Sequence, residues 1–285
     1  VMSKRSSAIT ALTILLSTTV GVAAGQEKPS GPYRKLAPGV MKTVKPEPQI
    51  EETFSRHDMV EVLAEAPDFK LAEEIAFRRD IWALEFNFKP VRMIAVDVPR
   101  SGEKMRRELV WYMVYSVSNT APVLHPVRRE DGQYGVQRVA RPLQFIPQFL
   151  LADPEAEKVY RDRLIPVAIG AIRAREDPRR RLLNTVEMAE RKIKPGETVW
   201  GVVTWKGIDP TVDRFSVYVI GLTNAYRWKD APGAYKPGDP LGTGRRLHWK
   251  TLKLNFWRPG DEYYQHDGEI RYGQPGDLDH EWVYR

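Results

Sequence analysis

The sequence predicts a mainly β protein folded as a β-sandwich, with a short helical insertion, an extended N-terminal arm and an irregular C-terminal tail. Three observations lead there. The runs Val199–Trp205 and Phe215–Leu222 are rich in β-branched and aromatic residues and apolar on both faces, as strands covered on both sides require. Turn residues punctuate the chain between such runs, and few stretches show helical spacing. At 285 residues and 42% hydrophobic, the chain is long enough to bury a large core.

In chain order, Lys4 and Arg5 precede an apolar run from Ala8 to Val20 that leads into Val22-Ala23-Ala24. This is the pattern of a secretory signal peptide over residues 1–24. The run is shorter than the ~20 apolar residues of a membrane-spanning helix, and no cysteine follows it to carry a lipid. A secreted or periplasmic location is therefore expected, with no transmembrane segment after signal cleavage. Residues 25–55 contain Pro29, Pro32, Pro38, Pro46 and Pro48 among Lys and Glu, and read as a Pro-rich linker or arm. The sandwich domain is expected over 56–257. Met59, Val60 and Leu63, then Leu71, Ile75 and Ala76, have helical spacing interrupted by Pro67, which predicts one or two short helices.

Strand patterns follow. Trp82, Leu84, Phe86 and Phe88 alternate with more polar positions, and Ile94, Val96 and Val98 resume the period of two beyond Pro90. Leu109–Asn119 reads as a central strand closing on an Asn-Thr turn. Within Leu143–Leu151, Pro147 points to an edge or bulged strand. Asp153-Pro154-Glu155 combines an N-cap, a proline at the first helical position and an early carboxylate. A helix is therefore predicted from Glu155 to Leu164, stopped by Pro166, inside a helical insertion near 153–192. Residues 167–175 fit strand or helix. Ile193-Lys194-Pro195-Gly196-Glu197 turns the chain into Val199–Trp205, which reads with Phe215–Leu222 as the two strands of a β-hairpin. Leu247–Trp257 is a further strand, and 258–285 reads as an acidic, turn-rich tail.

The strand Trp111–Thr120 and the turn Ile193–Glu197 leading into Gly201-Val202-Val203 resemble the immunoglobulin-like β-sandwiches of bacterial extracytoplasmic proteins. That resemblance spans Leu84 to Leu222, about half the chain. The blocks Phe88–Met93, Arg163–Pro166 and Gly221–Arg227 are also similar to uncharacterised secreted proteins of planctomycete-type bacteria. The resemblance implies a fold and a cell-envelope setting but no activity. The insertion at 153–192 departs from a minimal immunoglobulin-like domain.

The sequence excludes more chemistry than it supports. No cysteine is present, which removes thiolate metal sites, iron–sulfur clusters and cysteine nucleophiles. There is no Gly-x-Ser-x-Gly elbow or P-loop, Gly242-Thr243-Gly244 lacks the third glycine of a dinucleotide loop, and His280-Glu281 is followed by Tyr284 where a zinc helix needs its second histidine. No catalytic residue, metal ligand or cofactor is assigned. Residues 258–285 carry seven acids against three arginines, without the spacing of a calcium loop. The acids fit a solvated or self-docking tail on a chain of formal charge +7. Lys104, Arg106, Arg107, Arg128, Arg129, Arg179, Arg180, Arg181 and Arg191 are either a solvated surface or a face for an envelope polyanion, with no nucleic acid expected. Trp82, Trp111, Trp200 and Trp205 lie in strand runs and are expected in the core. Tyr226, Trp228, Trp249, Trp257, Tyr263 and Tyr264 lie in or near loops, where aromatic planes can stack on sugar rings, and they are the candidate ligand-binding residues.

These observations give a non-catalytic secreted binding, assembly or structural module of the cell envelope, with an envelope protein or glycan as partner. The alternative is a carbohydrate-active or other hydrolase using C-terminal carboxylates, which requires two of them to converge in one cleft.

Overall fold

The computed structural model describes residues 41–53, 79–99, 105–132, 134–234, 236, 239–240, 243–259 and 269–285. Along the chain the strands are β1 (Lys42–Val44), β2 (Glu85–Phe88), β3 (Arg92–Val98), β4 (Arg106–Ser118), β5 (Val123–Arg128), β6 (Tyr134–Val139), β7 (Leu143–Gln144), β8 (Gln148–Asp153) and β9 (Lys158–Arg161). Helices α1 (Pro166–Glu176) and α2 (Thr185–Glu190) follow. The chain continues through β10 (Lys192–Ile193), β11 (Thr198–Lys206), β12 (Arg214–Ile220), β13 (Tyr226–Asp230), β14 (Arg245–Trp257), β15 (Arg271–Tyr272) and β16 (His280–Tyr284). A short 3-10 turn spans Ile50–Thr53. The protein is mainly β, with several antiparallel sheets.

The first sheet runs β1-β2-β4-β11, with β3 beside β4. β2 pairs with the end of β4 and β3 with its beginning, and the break between them falls at Lys89-Pro90-Val91, where proline has no N–H to give the ladder. Successive side chains of β4 alternate between faces. Trp111, Met113, Tyr115 and Val117 enter the main core, whereas Val110, Tyr112 and Val114 lie under Ile165, Ala168 and Ile172 at α1. Both faces of β4 are thus covered, which accounts for its unbroken apolar run.

The second sheet runs β13-β14-β12-β8-β9, with β15 and β16 also on β14. Its Phe149, Leu151, Phe215, Val217, Val219, Leu252, Leu254 and Phe256 join the inner residues of the first sheet in one core. Aromatic rings bridge the two layers: Tyr115 to Phe149 at 5.0 Å, Phe88 to Tyr272 at 5.0 Å and Trp111 to Phe215 at 5.4 Å between centroids. Such pairs add about 0.5–1.5 kcal/mol each to the area they bury.

The strands Val199–Trp205 and Phe215–Leu222 form where expected, but they are not a hairpin. β11 pairs with β4, and β12 pairs with β14 and β8 in the other sheet. The connection 207–213 is too long for a tight turn and buries Ile208 and Val212 in the core, so it carries the chain from one layer to the other. Leu143–Leu151, read as one edge or bulged strand, is two strands interrupted at Pro147: β7 pairs with β10, whereas β8 lies inside the second sheet between β12 and β9. The helix predicted from Glu155 is instead the turn of the β8–β9 hairpin. The Asp153 carboxylate accepts from the Glu155 and Ala156 N–H groups, so the chemistry that caps a helix closes a turn here. Pro166 opens α1 rather than stopping a helix. Within the segment read as a C-terminal tail, β15 and β16 are paired members of the second sheet. Of the predicted arm, Lys42–Val44 pairs with β2. The signal segment and the helices predicted at 56–79 lie outside the described residues, apart from Arg79.

The Pro195-Gly196 turn was legible. Gly196 sits at φ +77°, its N–H donates to the Asn119 carbonyl at 2.7 Å, and the Asn119 side chain donates to Arg141 and Ile193.

Helix α1 is locked to the first sheet by Glu176, whose side chain is only 2% exposed. Its carboxylate accepts from Lys89 Nζ and Arg92 Nη1 at 2.8 Å and from the Tyr112 hydroxyl at 2.7 Å. Burial alone would raise the Glu176 pKa, but the Lys89 and Tyr112 hydrogen bonds and the Arg92 charge outweigh it and hold the carboxyl below its ordinary range. A depressed carboxyl pKa stabilises the fold above the unfolded value of ~4.3, and that contribution is lost as pH falls through the folded value. Glu176→Gln is expected to cost about 2 kcal/mol at neutral pH, with the gap to the parent shrinking below about pH 4. Thermal denaturation at pH 7 and pH 3 checks this, and an equal gap at both would show that the ionised carboxylate is not the lock.

Candidate binding surface

The first half of β14 extends past the shared core and pairs with β13. The register sets Tyr226 opposite Trp249, Trp228 opposite Leu247 and Asp230 opposite Arg245. Directly opposed residues share a face, as do residues two apart on one strand, so Tyr226, Trp228, Leu247 and Trp249 form one aromatic face. Tyr226 lies 5.2 Å from Trp249 and 5.6 Å from Trp228 between ring centroids. Leu247 and Trp249 are 48% and 42% exposed, an uncommon state for large apolar side chains set side by side.

Guanidinium groups stand over two of these rings. Arg79 lies 3.8 Å above Tyr226, donates to the Tyr226 carbonyl at 3.0 Å and to the Glu52 carbonyl at 3.2 Å. Arg245 lies 4.5 Å from the Trp228 ring and pairs with Asp230 at 3.2 Å. These are cation–π distances that fix the ring orientations. Glu52 also accepts from Lys250 Nζ at 2.5 Å and from the Tyr284 hydroxyl at 3.1 Å, so the 3-10 turn is anchored to β14 and β16. Burial, followed by the Glu52 charge, pushes the Tyr284 hydroxyl above its ordinary pKa.

Three of the six candidate aromatics therefore come together. Trp257 does not join them: it lies eight residues further along β14, about 27 Å away, with the Arg271 guanidinium 5.4 Å from its ring. Tyr263 and Tyr264 lie outside the described residues. Sequence reasoning missed Leu247, Arg79 and Arg245. The two-residue spacing of Leu247 and Trp249, mirrored by Tyr226 and Trp228, is the signal that could have found the pairing. Of the expected core tryptophans, Trp111 and Trp205 are fully buried, and Trp82 and Trp200 pack partly buried at its margin.

Three described acids of the C-terminal segment have named partners. Glu281 pairs with Lys253 at 2.7 Å, Glu269 lies 3.9 Å from Arg271, and Asp277 accepts from the Leu278 N–H. His280 shares a 2.8 Å hydrogen bond with the Tyr272 hydroxyl, and burial lowers its pKa. Among the described residues no cluster of three His, Asp or Glu is placed to hold a metal ion, and no helix is long and apolar enough to cross a membrane. Comparison with protein-family models, with curated proteins and with solved structures finds no match to this chain.

Arg79→Ala removes the ring contact and two hydrogen bonds at once. It is expected to lower stability by about 1–2 kcal/mol, and an unchanged melting temperature would show that Arg79 does not seat the aromatic face.

Proposed function

We propose that this chain is a non-catalytic binding module of the bacterial cell envelope, secreted or periplasmic, whose aromatic face on β13 and β14 meets a glycan. The observation that carries the reading is the convergence of Tyr226, Trp228, Leu247 and Trp249 on one partly exposed face. An indole plane covers the C–H face of a sugar ring, and an exposed aromatic group beside guanidinium donors suits an apolar face rimmed by hydroxyls. Two antiparallel sheets around one core support an immunoglobulin-like reading of the domain. The apolar N-terminal run supports export.

The test is co-sedimentation of the chain with insoluble cell-wall glycan, comparing parent and Trp249→Ala. Trp249 is exposed, so its loss is expected to leave the melting temperature nearly unchanged while weakening retention by about tenfold, the size of an aromatic hot spot. Equal retention of both proteins would overturn the assignment of the surface. Release of soluble sugar from the same glycan, abolished by Glu281→Gln, would replace the module with the hydrolase.

A further inference from the structure

The basic residues that look scattered in sequence are sorted by the fold. Arg128 and Arg129 go to the β5–β6 hairpin, and Lys104 lies outside the described residues. The others gather at two places along β11. Arg179, Arg180, Arg181 and Arg191 line a groove of about 460 Å³ with Asp177 and Trp200. Arg106 and Arg107 line a second groove, of about 550 Å³, with Arg163, Lys206 and Glu108. Lys206 and Trp200 are six residues apart on the same face of β11, about 20 Å from one another. Between them, backbone segments cover the strand: Arg163 N–H donates to the Thr204 carbonyl and the Thr204 hydroxyl to the Arg163 carbonyl, while Leu183 bonds Trp200 and Val202.

The cations in these grooves are available. Among the described residues, the side chains of Arg106, Arg107, Arg163 and Arg179 make no hydrogen bond or ion pair. Arg180 pairs with Asp177 at 3.1 Å, Arg181 with Glu187 at 3.4 Å, Arg191 with Glu197, and Lys206 with Glu108 at 3.9 Å. The side chains in these pairs are all a quarter or more exposed, and exposed pairs contribute little to stability, so an incoming oxyanion displaces them at little cost. The Arg180 guanidinium carbon lies over Trp200, 3.9 Å from its ring centre. Stacking occupies the face of a guanidinium and leaves its in-plane N–H fork for a carboxylate, sulfate or phosphate.

We propose that the two grooves are the two ends of one track that binds an extended acidic glycan along the β11 edge. A single-stranded nucleic acid would need open aromatic faces to stack its bases, and Trp200, the aromatic residue of the two grooves, already carries Arg180. A lipid bilayer meets a protruding face, whereas these cations line recessed grooves. The track shares no residue with the aromatic face and does not depend on the reading given to that face.

The experiment is calorimetric titration of the full chain with polygalacturonate, with digalacturonate and with oligodeoxythymidylate, in a salt series. Polygalacturonate reaches both grooves and is expected to bind at least tenfold tighter per site than digalacturonate, which fills one. Arg179→Ala with Arg181→Ala, or Arg106→Ala with Arg107→Ala, is expected to lower polymer affinity about tenfold and to flatten the salt dependence. Arg128→Ala with Arg129→Ala removes the same charge elsewhere and is expected to change affinity less than about twofold. An equal loss in that control would reduce the track to bulk charge and overturn the proposal. Equal affinity for the short and long glycans, or tighter binding of oligodeoxythymidylate, would overturn it as well.

Discussion

Val110 through Ser118 of β4 are nine consecutive buried residues, and a strand in that position needs an apolar cover on each face. Much of the architecture meets this constraint. On one face the second sheet supplies Phe149 and Phe215 against Tyr115 and Trp111. On the other, α1 brings Ala168 and Ile172 over Val110, Tyr112 and Val114. The helix is therefore a lid for the sheet rather than an insertion beside it, and Glu176 fastens it with three donors drawn from β4, the start of β3 and the break before β3.

The aromatic face and one of the two basic grooves arise where a long strand outruns this core. β14 is thirteen residues long, but its buried stretch begins only at Lys250, so Arg245–Trp249 with β13 forms a projecting ribbon. β4 is equally long, and Arg106–Leu109 lie before its buried stretch begins. The apolar residues of one overhang make an aromatic face, and the cations of the other line a groove. The backbone ladder holds the aromatic face, whereas the grooves also draw on chain between elements, at Arg163, at Arg179 to Arg181 and at Gly207 to Pro210.

What was legible in the sequence was local. Leu109–Asn119 and Leu247–Trp257 declared themselves as strands through period and residue type, and the Pro195-Gly196 turn through its chemistry. Pairing was not legible, because β11 and β12 each carry apolar residues on both faces and nothing local states which layer a strand joins. Asp153-Pro154-Glu155 misled for a related reason: an aspartate that accepts two successive N–H groups starts a helix or a hairpin turn equally well, and β9 was there to pair. The glycine inside β11 carried a readable signal. A Cβ at Gly201 would lie 2.5 Å from Cζ of Tyr115, its partner across the strands, so the position marks a close approach rather than a weak strand. At the aromatic face, Tyr226, Trp228 and Trp249 were legible as residue types, whereas their separation from Trp257 depended on register.

The charge pattern follows from the same economy of contacts. Several acids serve as junctions that receive more than one donor: Glu52 holds Lys250 and Tyr284, Asp80 holds Arg141 and His125, and Glu176 holds Lys89, Arg92 and Tyr112. Acids committed to fastening elements cannot also neutralise distant arginines. On a chain with 44 Lys and Arg against 37 Asp and Glu, unpaired cations must then collect where no junction is needed. The open ends of β11 are such places, and Arg106, Arg107, Arg163 and Arg179 stand there with side chains unbound among the described residues. The positive potential of the track is thus a product of how the fold uses its carboxylates, and it is local where the net charge is not.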